Sequence, residues 1–492
     1  MILDVIQSMF SLNNLLFMNI GLAAGIIVGA LPGLTGTMAI ALLLPLTYGV
    51  DAITGMFLLL GVYLGGIYGG SITAILINTP GTPASAATSL DGYPMAKRGE
   101  AKRALSLALY GSFIGGIFSV IVLIVAAPQI ASIALSFGPP EYFALAIFGL
   151  TIIASVSEES IFKGLLMGFF GLLISTIGLD PIDGIDRFSF DIVGLLNGVG
   201  IIPALIGLFA ITEIFEKIRS IGQTQTNALS VKGTNVKFGE LIKYKWLLLK
   251  SSLIGTFIGA VPGTGAAISS FMAYNEAKRT SSNPENFGKG CDEGILAPET
   301  ANNAVTGATL IPLLTLGIPG DTNTAVLIGA LTMQGIVPGP KLFVEQASWV
   351  YSIMFGLILV NIFMLIQGKV FINFFSNVTK ISSEVLVPIL VVLCVIGAYA
   401  VNNTIFDAVL MLVFGIVGYA MKSYGFPLTP AVIGIVLGPL AESNLRRSLI
   451  MSNNDWMIFF QKPISAFFLV LSLVMLAYPL IKKTLEKRRT TN

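Results

Sequence analysis

Residues 25–33 read Gly-Ile-Ile-Val-Gly-Ala-Leu-Pro-Gly, and residues 255–263 read Gly-Thr-Phe-Ile-Gly-Ala-Val-Pro-Gly, 230 positions further along a chain of 492 residues. A second pair of related segments follows, with Asn-Thr-Pro-Gly-Thr-Pro at 78–83 and Gly-Ile-Pro-Gly-Asp-Thr at 317–322. Each half of the chain therefore carries two Pro-Gly breaks, in the same order, inside apolar sequence. Two hydrophobic halves that are interrupted at corresponding positions are typical of transporters built from structural repeats.

The composition indicates a membrane protein. Hydrophobic residues make up 54% of the chain, charged residues make up 11%, and the mean hydropathy is +0.86, whereas soluble domains carry roughly 25% charged residues. A membrane-spanning helix needs about 20 mostly apolar residues, and roughly a dozen stretches approach that length. The sequence thus predicts an all-α polytopic membrane protein with about 12 membrane segments. The clearest of these stretches are 104–127, 161–178, 192–211, 350–366, 385–401 and 464–481.

Several functional classes are disfavoured by what the sequence lacks. The chain has no histidine and only two cysteines, which argues against histidine metal sites, histidine general bases and a disulfide framework. It also lacks a phosphate-binding GxxxxGK[ST] segment and a nucleophile elbow. The N-terminus has no basic region or cleavage site of the kind found in signal peptides. We therefore expect a protein that is not an enzyme, has no cofactor, does not bind nucleic acid and uses an ion gradient or another chain for energy.

Basic residues predict the topology, because Lys and Arg collect on the cytoplasmic side of membranes. Placing the basic segments inside gives a mostly consistent map with a cytoplasmic C-terminus and an external acidic loop at 180–191. Arg446 and Arg447 fall outside if residues 426–440 cross the membrane, so the topology of 426–463 stays open between a crossing and a re-entrant segment. The basic segments are 97–103, 217–250, 278–289 and 482–489.

The charges beside the two repeated segments predict hairpins that enter the membrane and return. Both flanks of 25–33 lack positive charge, whereas 255–263 is preceded by Lys250 and followed by Lys278. Flanks that match on both sides indicate a re-entrant hairpin, and opposite flanks in the two halves indicate inverted repeats. We divide the chain into a first half at 1–216, a cytoplasmic linker at 217–243 and a second half at 244–492.

The Pro-Gly breaks are the candidate binding site. Proline and glycine interrupt helices, and in lipid the freed backbone groups must be buried in protein or line a wet cavity. Helix N-termini at such breaks can receive a carboxylate, and C-terminal carbonyls can ligate a cation. The residues predicted to bind substrate or ion are Gly33, Thr35, Gly36, Thr37, Asn78, Thr79, Gly81, Thr82, Gly263, Thr264, Gly265, Asn302, Asn303, Gly320, Asp321, Thr322, Asn323 and Thr324.

Each candidate has a structural alternative. The breaks could be plain hinges or kinks, Asn302 and Asn303 could hydrogen-bond between helices, and Asp321 could be an ordinary helix N-cap. The glycine pairs at 65–66, 69–70 and 115–116 favour close helix packing over binding. The acidic loop around Asp180 is expected to be a solvated or docking face.

Ordered segments along most of the chain resemble one known family. They are GALPGLT at 29–35, YGGSITAIL at 68–76, PGTP at 80–83, DGYP at 91–94, RF at 187–188, FGKG at 287–290, PETANNA at 298–304, LGIPG at 316–320, PGP at 338–340 and ESNLRRS at 442–448. On these segments the chain is similar to the large membrane subunit of the tripartite tricarboxylate transporters, the TctA family.

The resemblance implies a secondary transporter of a prokaryotic cytoplasmic (inner) membrane, importing carboxylates such as citrate by sodium or proton symport. It implies two partners, a periplasmic substrate-binding protein and a small membrane subunit of about four helices. It also implies an elevator-like plan, in which a domain with two hairpins moves past a scaffold. Asp321 departs from the family, where Ser is often expected, and the extra acid either alters ion coupling or has no effect. The alternatives are a carrier or channel that needs no binding protein, a membrane enzyme or scaffold subunit, and a receptor.

Overall fold

The computed structural model describes residues 2–155, 160–180, 182–219, 229–378, 381 and 383–489. Most of these residues are helical, which confirms an all-α architecture consistent with a polytopic membrane protein. Seven helices in the described ranges are long and apolar enough to span a membrane, and shorter apolar helices accompany them. The predicted number of about 12 membrane segments stays a prediction.

The helices are α1 (Ile2–Met9), α2 (Leu12–Gly29), α3 (Gly36–Leu43), α4 (Ala52–Ile77), α5 (Ala86–Met95), α6 (Ala101–Ala134), α7 (Pro139–Ser155), α8 (Ile161–Ser175), α9 (Ile201–Leu205), α10 (Thr212–Arg219), α11 (Lys245–Ala260), α12 (Gly265–Thr280), α13 (Glu293–Ala308), α14 (Leu310–Leu316), α15 (Thr322–Met333), α16 (Leu342–Glu345), α17 (Ala347–Val370), α18 (Ile372–Val378), α19 (Ser383–Asn402), α20 (Ile405–Ser423), α21 (Leu428–Met451), α22 (Ile458–Gln461) and α23 (Pro463–Arg489).

Shorter elements connect these helices. Strands β1 (Gly178–Leu179) and β2 (Asp186–Arg187) pair antiparallel. Two π-helical segments, Ala96–Glu100 and Ile206–Ile211, join α5 to α6 and α9 to α10. The 3₁₀ turns are Leu44–Thr47, Pro83–Ser85, Val193–Leu195, Phe238–Tyr244 and Pro284–Asn286.

The two halves repeat one order of elements. In the first half, α2, a break at 30–35 and α3 form what we call the first helix pair, and α4 then leads to the break at 78–82 and to α5. In the second half, α11, a break at 261–264 and α12 form the second helix pair, and α13 and α14 then lead to the break at 317–321 and to α15. This order agrees with two broken repeats. Their inverted orientation and membrane re-entry stay predictions.

Glycines of the repeated segment bring the same neighbours together in both halves. A side chain on Gly25 would collide with the Val62 carbonyl of α4, and one on Gly255 would collide with the Ala301 carbonyl of α13. In each case the first helix of the pair lies directly against the backbone of the helix that follows the pair. Lipid gives helices no hydrophobic driving force to associate, so membrane helices rely on close packing, and small residues permit it.

The remaining helices form groups around these repeats. Helices α6 and α17 pack beside α4 and α13, while α7, α8, α21 and α23 pack mainly on one another. Helices α9, α10, α19 and α20 pack around the π-helical segment Ile206–Ile211. This arrangement places the beginning of α21 next to the breaks, where the candidate site lies.

One predicted apolar segment differs from the structure, and one predicted boundary, which stays a prediction, falls inside a helix. The predicted apolar segment 192–211 is not one helix, because residues 196–200 are irregular and α9 begins only at Ile201. Gly198, at φ +81°, holds a left-handed turn there, a conformation that suits glycine. Helix α10 runs through the predicted boundary at 216 and ends at Arg219. Residues 220–228 of the predicted linker lie outside the described residues.

The acidic loop between the strands of the β-hairpin supplies ion partners for Arg446, one of the two arginines that fall on the predicted outer side. The Arg446 guanidinium lies 2.9 Å from Asp180 and 3.1 Å from Asp183. Backbone N–H groups of Asp183 and Ile182, helped by Arg446 and Arg187, hold the pKa of the Asp180 carboxyl below its ordinary value. Helix α21 is continuous and is one of the seven long apolar helices. Arg446 is therefore paired with the acidic loop, and the choice between a crossing and a re-entrant α21 stays open.

Candidate substrate site

A cavity of about 470 Å³ lies where the four Pro-Gly breaks meet, a size within the ordinary range of ligand pockets. Its wall includes residues from every break, joined by residues from the π-helical region and from the beginning of α21. The lining residues are Thr35, Gly36, Thr37, Ile67, Thr82, Pro83, Ala84, Leu208, Phe209, Thr212, Glu213, Gly263, Gly265, Ala266, Ala267, Asp321, Thr322, Asn323, Lys422, Gly425, Phe426, Pro427, Leu428, Thr429 and Pro430.

Helix starts converge on this cavity. Helices α3, α12 and α15 begin at Gly36, Gly265 and Thr322, all of which line it, and the turn Pro83–Ser85 leads into α5 from the same wall. The first N–H groups of a helix have no partner within the helix and carry a partial positive charge. Helix starts from both halves of the chain thus give the cavity a positive backbone character.

Hydroxyl and amide groups supplement these helix starts. The Thr37 hydroxyl lies 3.1 Å from the Thr322 hydroxyl and 2.9 Å from Asn323 Oδ1, which links the first and fourth breaks. Thr82 is only 4% exposed, and its hydroxyl has no hydrogen-bond partner among the described residues. Because buried polar groups normally have partners, the Thr82 hydroxyl is an unsatisfied polar group in a residue of the cavity wall.

Asp321 has a structural role in this wall. Its Oδ1 accepts a hydrogen bond from the Thr324 N–H at 2.8 Å, so it caps α15. Its Oδ2 accepts hydrogen bonds from the Tyr63 hydroxyl at 2.9 Å and from the Asn323 side chain at 3.0 Å. The N-cap alternative is confirmed, and a further role of Asp321 in binding stays a prediction.

The sequence analysis missed a second acid, Glu213. The Glu213 carboxylate accepts hydrogen bonds from the Thr35 N–H at 3.2 Å and from the Thr35 hydroxyl at 2.8 Å, and it also lines the cavity. Lys217, one turn further along α10, donates to the Pro32 carbonyl. An acid inside the apolar run 206–215 was the signal that could have identified Glu213.

The other missed residues come from the segment around α21. Residues 425–430 supply one wall of the cavity, and Lys422 lies beside them. The sequence indicated only that a membrane segment of uncertain topology begins there. Lys422 is 2.6 Å from Glu216. Two prolines near the start of an apolar helix were the sequence signal for this wall, and no periodicity in the sequence connected it to the distant breaks.

Half of the predicted residues lie outside the cavity wall. Asn78 is the left-handed C-cap of α4 and, like Thr79, is exposed, whereas Thr264 bonds back to the carbonyls of Ile258 and Val261. Their predicted binding roles have no support from this placement and stay predictions. The full set away from the wall is Gly33, Asn78, Thr79, Gly81, Thr264, Asn302, Asn303, Gly320 and Thr324.

Asn302 and Asn303 belong to a neighbouring polar network around Glu299. The Glu299 carboxyl is fully buried and contacts the Thr88 hydroxyl at 2.5 Å and the Ser112 hydroxyl at 3.1 Å. Asn303 donates to the Ser112 hydroxyl at 2.8 Å, and Asn302 donates to the Ala84 carbonyl at 3.3 Å. Since Ala84 lines the cavity, this network touches the site from behind its wall.

The described residues contain no group of three or more His, Cys, Asp or Glu side chains able to hold a metal ion. The site instead offers helix starts, hydroxyls and one amide, which are groups suited to hydrogen-bonding an anion.

The comparison with known families agrees with this geometry. Residues 15–433 match the family described as the tripartite tricarboxylate transporter TctA family. The chain belongs to this family. As a TctA-family chain with several membrane-length helices, it is a multi-pass membrane protein of a transporter family, and the resemblance noted on the sequence motifs is confirmed.

Two relatives come from Agrobacterium vitis. This TctA-family chain is 37% identical over 475 residues to an uncharacterized 52.8 kDa protein in the TAR-I ttuC' 3' region, covering 96% of this chain and 95% of that protein. It is 38% identical over 234 residues to an uncharacterized protein in the TAR-II ttuC' 3' region, covering 48% of this chain and 97% of that protein. No solved structure matches the chain significantly.

Proposed function

We propose that the chain is the large membrane subunit of a binding-protein-dependent secondary transporter that imports tricarboxylates or dicarboxylates with sodium ions or protons. A periplasmic binding protein delivers the substrate, and a small membrane subunit completes the complex. The observation that carries the proposal is the cavity at which helix starts from both halves meet the hydroxyls of Thr37, Thr82 and Thr322.

The anionic substrate is held by backbone and hydroxyl groups. Carboxylate oxygens accept hydrogen bonds from helix N-termini and hydroxyls, and bonds to a charged acceptor are stronger than neutral ones. The unpaired Thr82 hydroxyl supplies a donor that the protein itself leaves free. The Thr322 hydroxyl, at the start of α15, supplies another from the second half of the chain.

The charges of the lining favour transport together with a cation. The charged side chains on the wall are Glu213, Asp321 and Lys422, which give a net negative lining when all three are ionised. Such a lining repels a multiply charged anion unless cations enter with it. Symport of sodium ions or protons removes this repulsion and supplies the driving force for uptake.

An elevator-type movement fits the grouping of the helices. The helix pairs and the breaks of both halves form one packed unit, while α7, α8, α21 and α23 pack mainly on one another. The cavity lies where the beginning of α21 meets that unit. In the proposed movement the unit that contains the breaks carries the substrate past the group formed by α7, α8, α21 and α23.

The test is uptake of radiolabelled citrate and dicarboxylates by proteoliposomes that hold the chain and its small subunit, with and without the binding protein, under a sodium or a proton gradient. Thr82→Val and Thr322→Val should each lower uptake roughly 10- to 100-fold, since a hydrogen bond to a charged group contributes about 1.5–3 kcal/mol. Thr332→Val, at the far end of α15, is the matched control and should leave uptake unchanged.

Normal uptake in both Thr82→Val and Thr322→Val would sink the assignment of the cavity. Saturable uptake by the wild type that is indifferent to the binding protein would favour the stand-alone carrier, and uptake without saturation would favour a channel. Uptake that requires both the binding protein and one of the gradients supports the proposal and identifies the ion.

A further inference from the structure

Glu299 is an acid inside a helix bundle, and none of its hydrogen-bond partners in the part of the chain that the structure describes is basic. It lies in α13 with no exposed surface. Its side-chain partners among the described residues are neutral, namely the hydroxyls of Thr88 and Ser112 and the amide of Asn302 at 3.5 Å. An ionised carboxylate removed from water without a counter-charge costs several kcal/mol. The position therefore favours a carboxyl that spends part of its time neutral.

We propose that Glu299 binds and releases the coupling proton of this transporter. The carboxylate takes one proton from a hydronium ion while the site loads, which gives the neutral acid and water, and it returns that proton to water on the other side of the membrane, which gives hydronium. No other bond forms or breaks. This inference rests on the proposed transport function and names the ion and the residue that carries it.

The partners of Glu299 suit a group that changes its charge. A hydroxyl can donate a hydrogen bond to a carboxylate and can accept one from a carboxylic acid. The Thr88 and Ser112 contacts can therefore persist in both protonation states, whereas a lysine or arginine partner would fix the charged state.

A proton suits this network better than a metal ion. The Asn302 amide N–H groups face Glu299 Oε1 and the Ala84 carbonyl, and the Asn303 amide N–H groups face the Ser112 hydroxyl and Asn302 Oδ1. Metal ions need inward-facing lone pairs from several oxygens. Here N–H and O–H donors face the Glu299 oxygens, which leaves few free lone pairs for a metal ion.

The neighbouring elements bring few titratable groups towards Glu299. Tyr68 of α4 is buried and lies close enough to Glu299 to be affected by its charge. Asp91 of α5 bonds to Tyr274 of α12 and lies against Gly294, nearer the beginning of α13. On α6, Arg103 pairs with Asp292, the lysines of α11 (Lys245 and Lys250) are exposed, and α14 contains no titratable residue.

A hydrogen-bond path connects this acid to the substrate cavity. Asn302 donates to both Glu299 and the Ala84 carbonyl, and Ala84 sits in the 3₁₀ turn between the unpaired Thr82 and α5. Neutralising Glu299 weakens its hold on Asn302 and so alters the bond that fixes this part of the cavity wall. The proton and the substrate are thereby coupled without direct contact.

The first experiment needs no substrate. The purified full chain is titrated with acid and base while difference infrared spectra record the C=O band of protonated carboxyl groups. We expect a band that survives at a pH where exposed carboxyls are ionised, that disappears in Glu299→Gln and that persists in the exposed control Glu285→Gln. Replacing sodium with choline at constant pH should leave the band unchanged.

An identical band in Glu299→Gln overturns the proposal. A wild-type band that sodium abolishes at constant pH also overturns it, and this result would favour sodium binding. If Glu299→Gln does not fold, Glu299→Asp should shift the same band, and an unshifted band overturns the proposal.

The second experiment uses transport. In proteoliposomes with the partner subunits, Glu299→Gln should accumulate citrate about 10- to 100-fold less than wild type under a proton gradient, while it still exchanges internal for external citrate. Accumulation equal to wild type overturns the proposal. If the wild type itself does not transport citrate, the proposed function fails in this form, whereas the infrared titration still decides whether Glu299 binds a proton.

Discussion

The first and second helix pairs share a sequence but are held by different contacts. At the first break, Thr35 caps α3 and is bound by Glu213, while Lys217 holds the Pro32 carbonyl, so distant residues of α10 brace the turn. At the second break, Thr264 bonds to carbonyls of its own turn, and the Gly263 N–H donates to the Gly320 carbonyl at 2.7 Å.

The difference indicates that the repeated sequence sets the backbone path of each break, whereas contacts with residues outside the repeat set how stable that break is. Both helix pairs approach the following helix through glycine, but only the first has a charged residue fixing its turn in the described chain. Side-chain contacts with a charged group are worth more than neutral ones and are more sensitive to a change of charge. We therefore expect the first break to respond strongly to a single distant substitution and the second to respond mainly to changes in its own residues.

The largest effect should come from the glycines that the two pairs share. Gly25→Ala and Gly255→Ala each place a methyl group against a backbone carbonyl, and overpacking at such a contact costs about 3 kcal/mol. Thermal unfolding of the purified chain should show similar losses for both. The control is Gly168→Ala, since a side chain there meets open space. Unequal losses for Gly25 and Gly255 would break the equivalence of the two pairs.

Glu213→Gln should loosen the first break and leave the second break unchanged. Glutamine keeps one acceptor oxygen but loses the charge that binds two donors of Thr35, which should cost about 2 kcal/mol locally. Amide hydrogen exchange should become faster at residues 35–38 and stay unchanged at 261–265. Glu216→Gln, on the same helix but in an exposed ion pair, is the control. Equal acceleration at both breaks would contradict the distinction drawn here.

Asp292→Asn tests whether the helices that follow the two pairs, α4 and α13, are also held by different contacts. We expect it to destabilise the start of α13. Burial opposes ionisation, but hydrogen bonds from Arg103 and Tyr244 and the charge of Arg103 hold the pKa of Asp292 below its ordinary value. The stabilisation is therefore present above the unfolded pKa of about 3.9 and is lost as the pH falls through the lower folded value. At neutral pH the substitution should cost about 1 to 2 kcal/mol, since the pair is partly screened.

The equivalent position before α4 provides the control. Asp51 caps α4 through the Ile53 N–H and is exposed, and asparagine caps helices about as well as aspartate. Chemical denaturation should therefore show little change for Asp51→Asn. A loss in Asp292→Asn that persists undiminished at pH 3 would show that the contact does not depend on the carboxylate charge.

The smallest effect should come from Thr264→Val. The substitution removes one neutral hydroxyl bond within the second break and should cost about 0.5 to 1 kcal/mol. Hydrogen exchange should increase at 258–266 alone. An increase that reached 30–35 would mean that the two breaks are coupled through the cavity more tightly than their separate contacts indicate.

The sequence predicted the breaks well because proline and glycine act locally. Pro32 and Pro262 lie in breaks, each followed by a glycine with positive φ, and the hydroxyls beside them need partners, so a polar site at the breaks could be inferred without knowing the fold. The prediction was weaker for Asn78 and Thr79. They are polar like the residues of the site, but Asn78 caps the end of α4 and both residues are exposed. Composition does not distinguish a polar residue that faces a cavity from one that faces outward.

The sequence carried local signals for Glu213 and for residues 425–430, but nothing in it showed that they and Lys422 meet the breaks. They lie far along the chain from the breaks they contact, and each stands in an apolar stretch that reads only as a membrane segment. The helical span expected at 192–211 failed for a related reason, since its glycines permit irregular backbone that average hydropathy does not detect.

By itself, the sequence determined that this protein is a helical membrane protein of two broken halves, because hydropathy, helix-breaking residues and repeated order are local properties of the chain. The tertiary structure decided which helix starts share one cavity, that Glu213 and Asp321 serve the backbone of its wall, and that Glu299 stands among neutral partners. Those features depend on distances between residues far apart in sequence, and only the packing of the helices sets such distances.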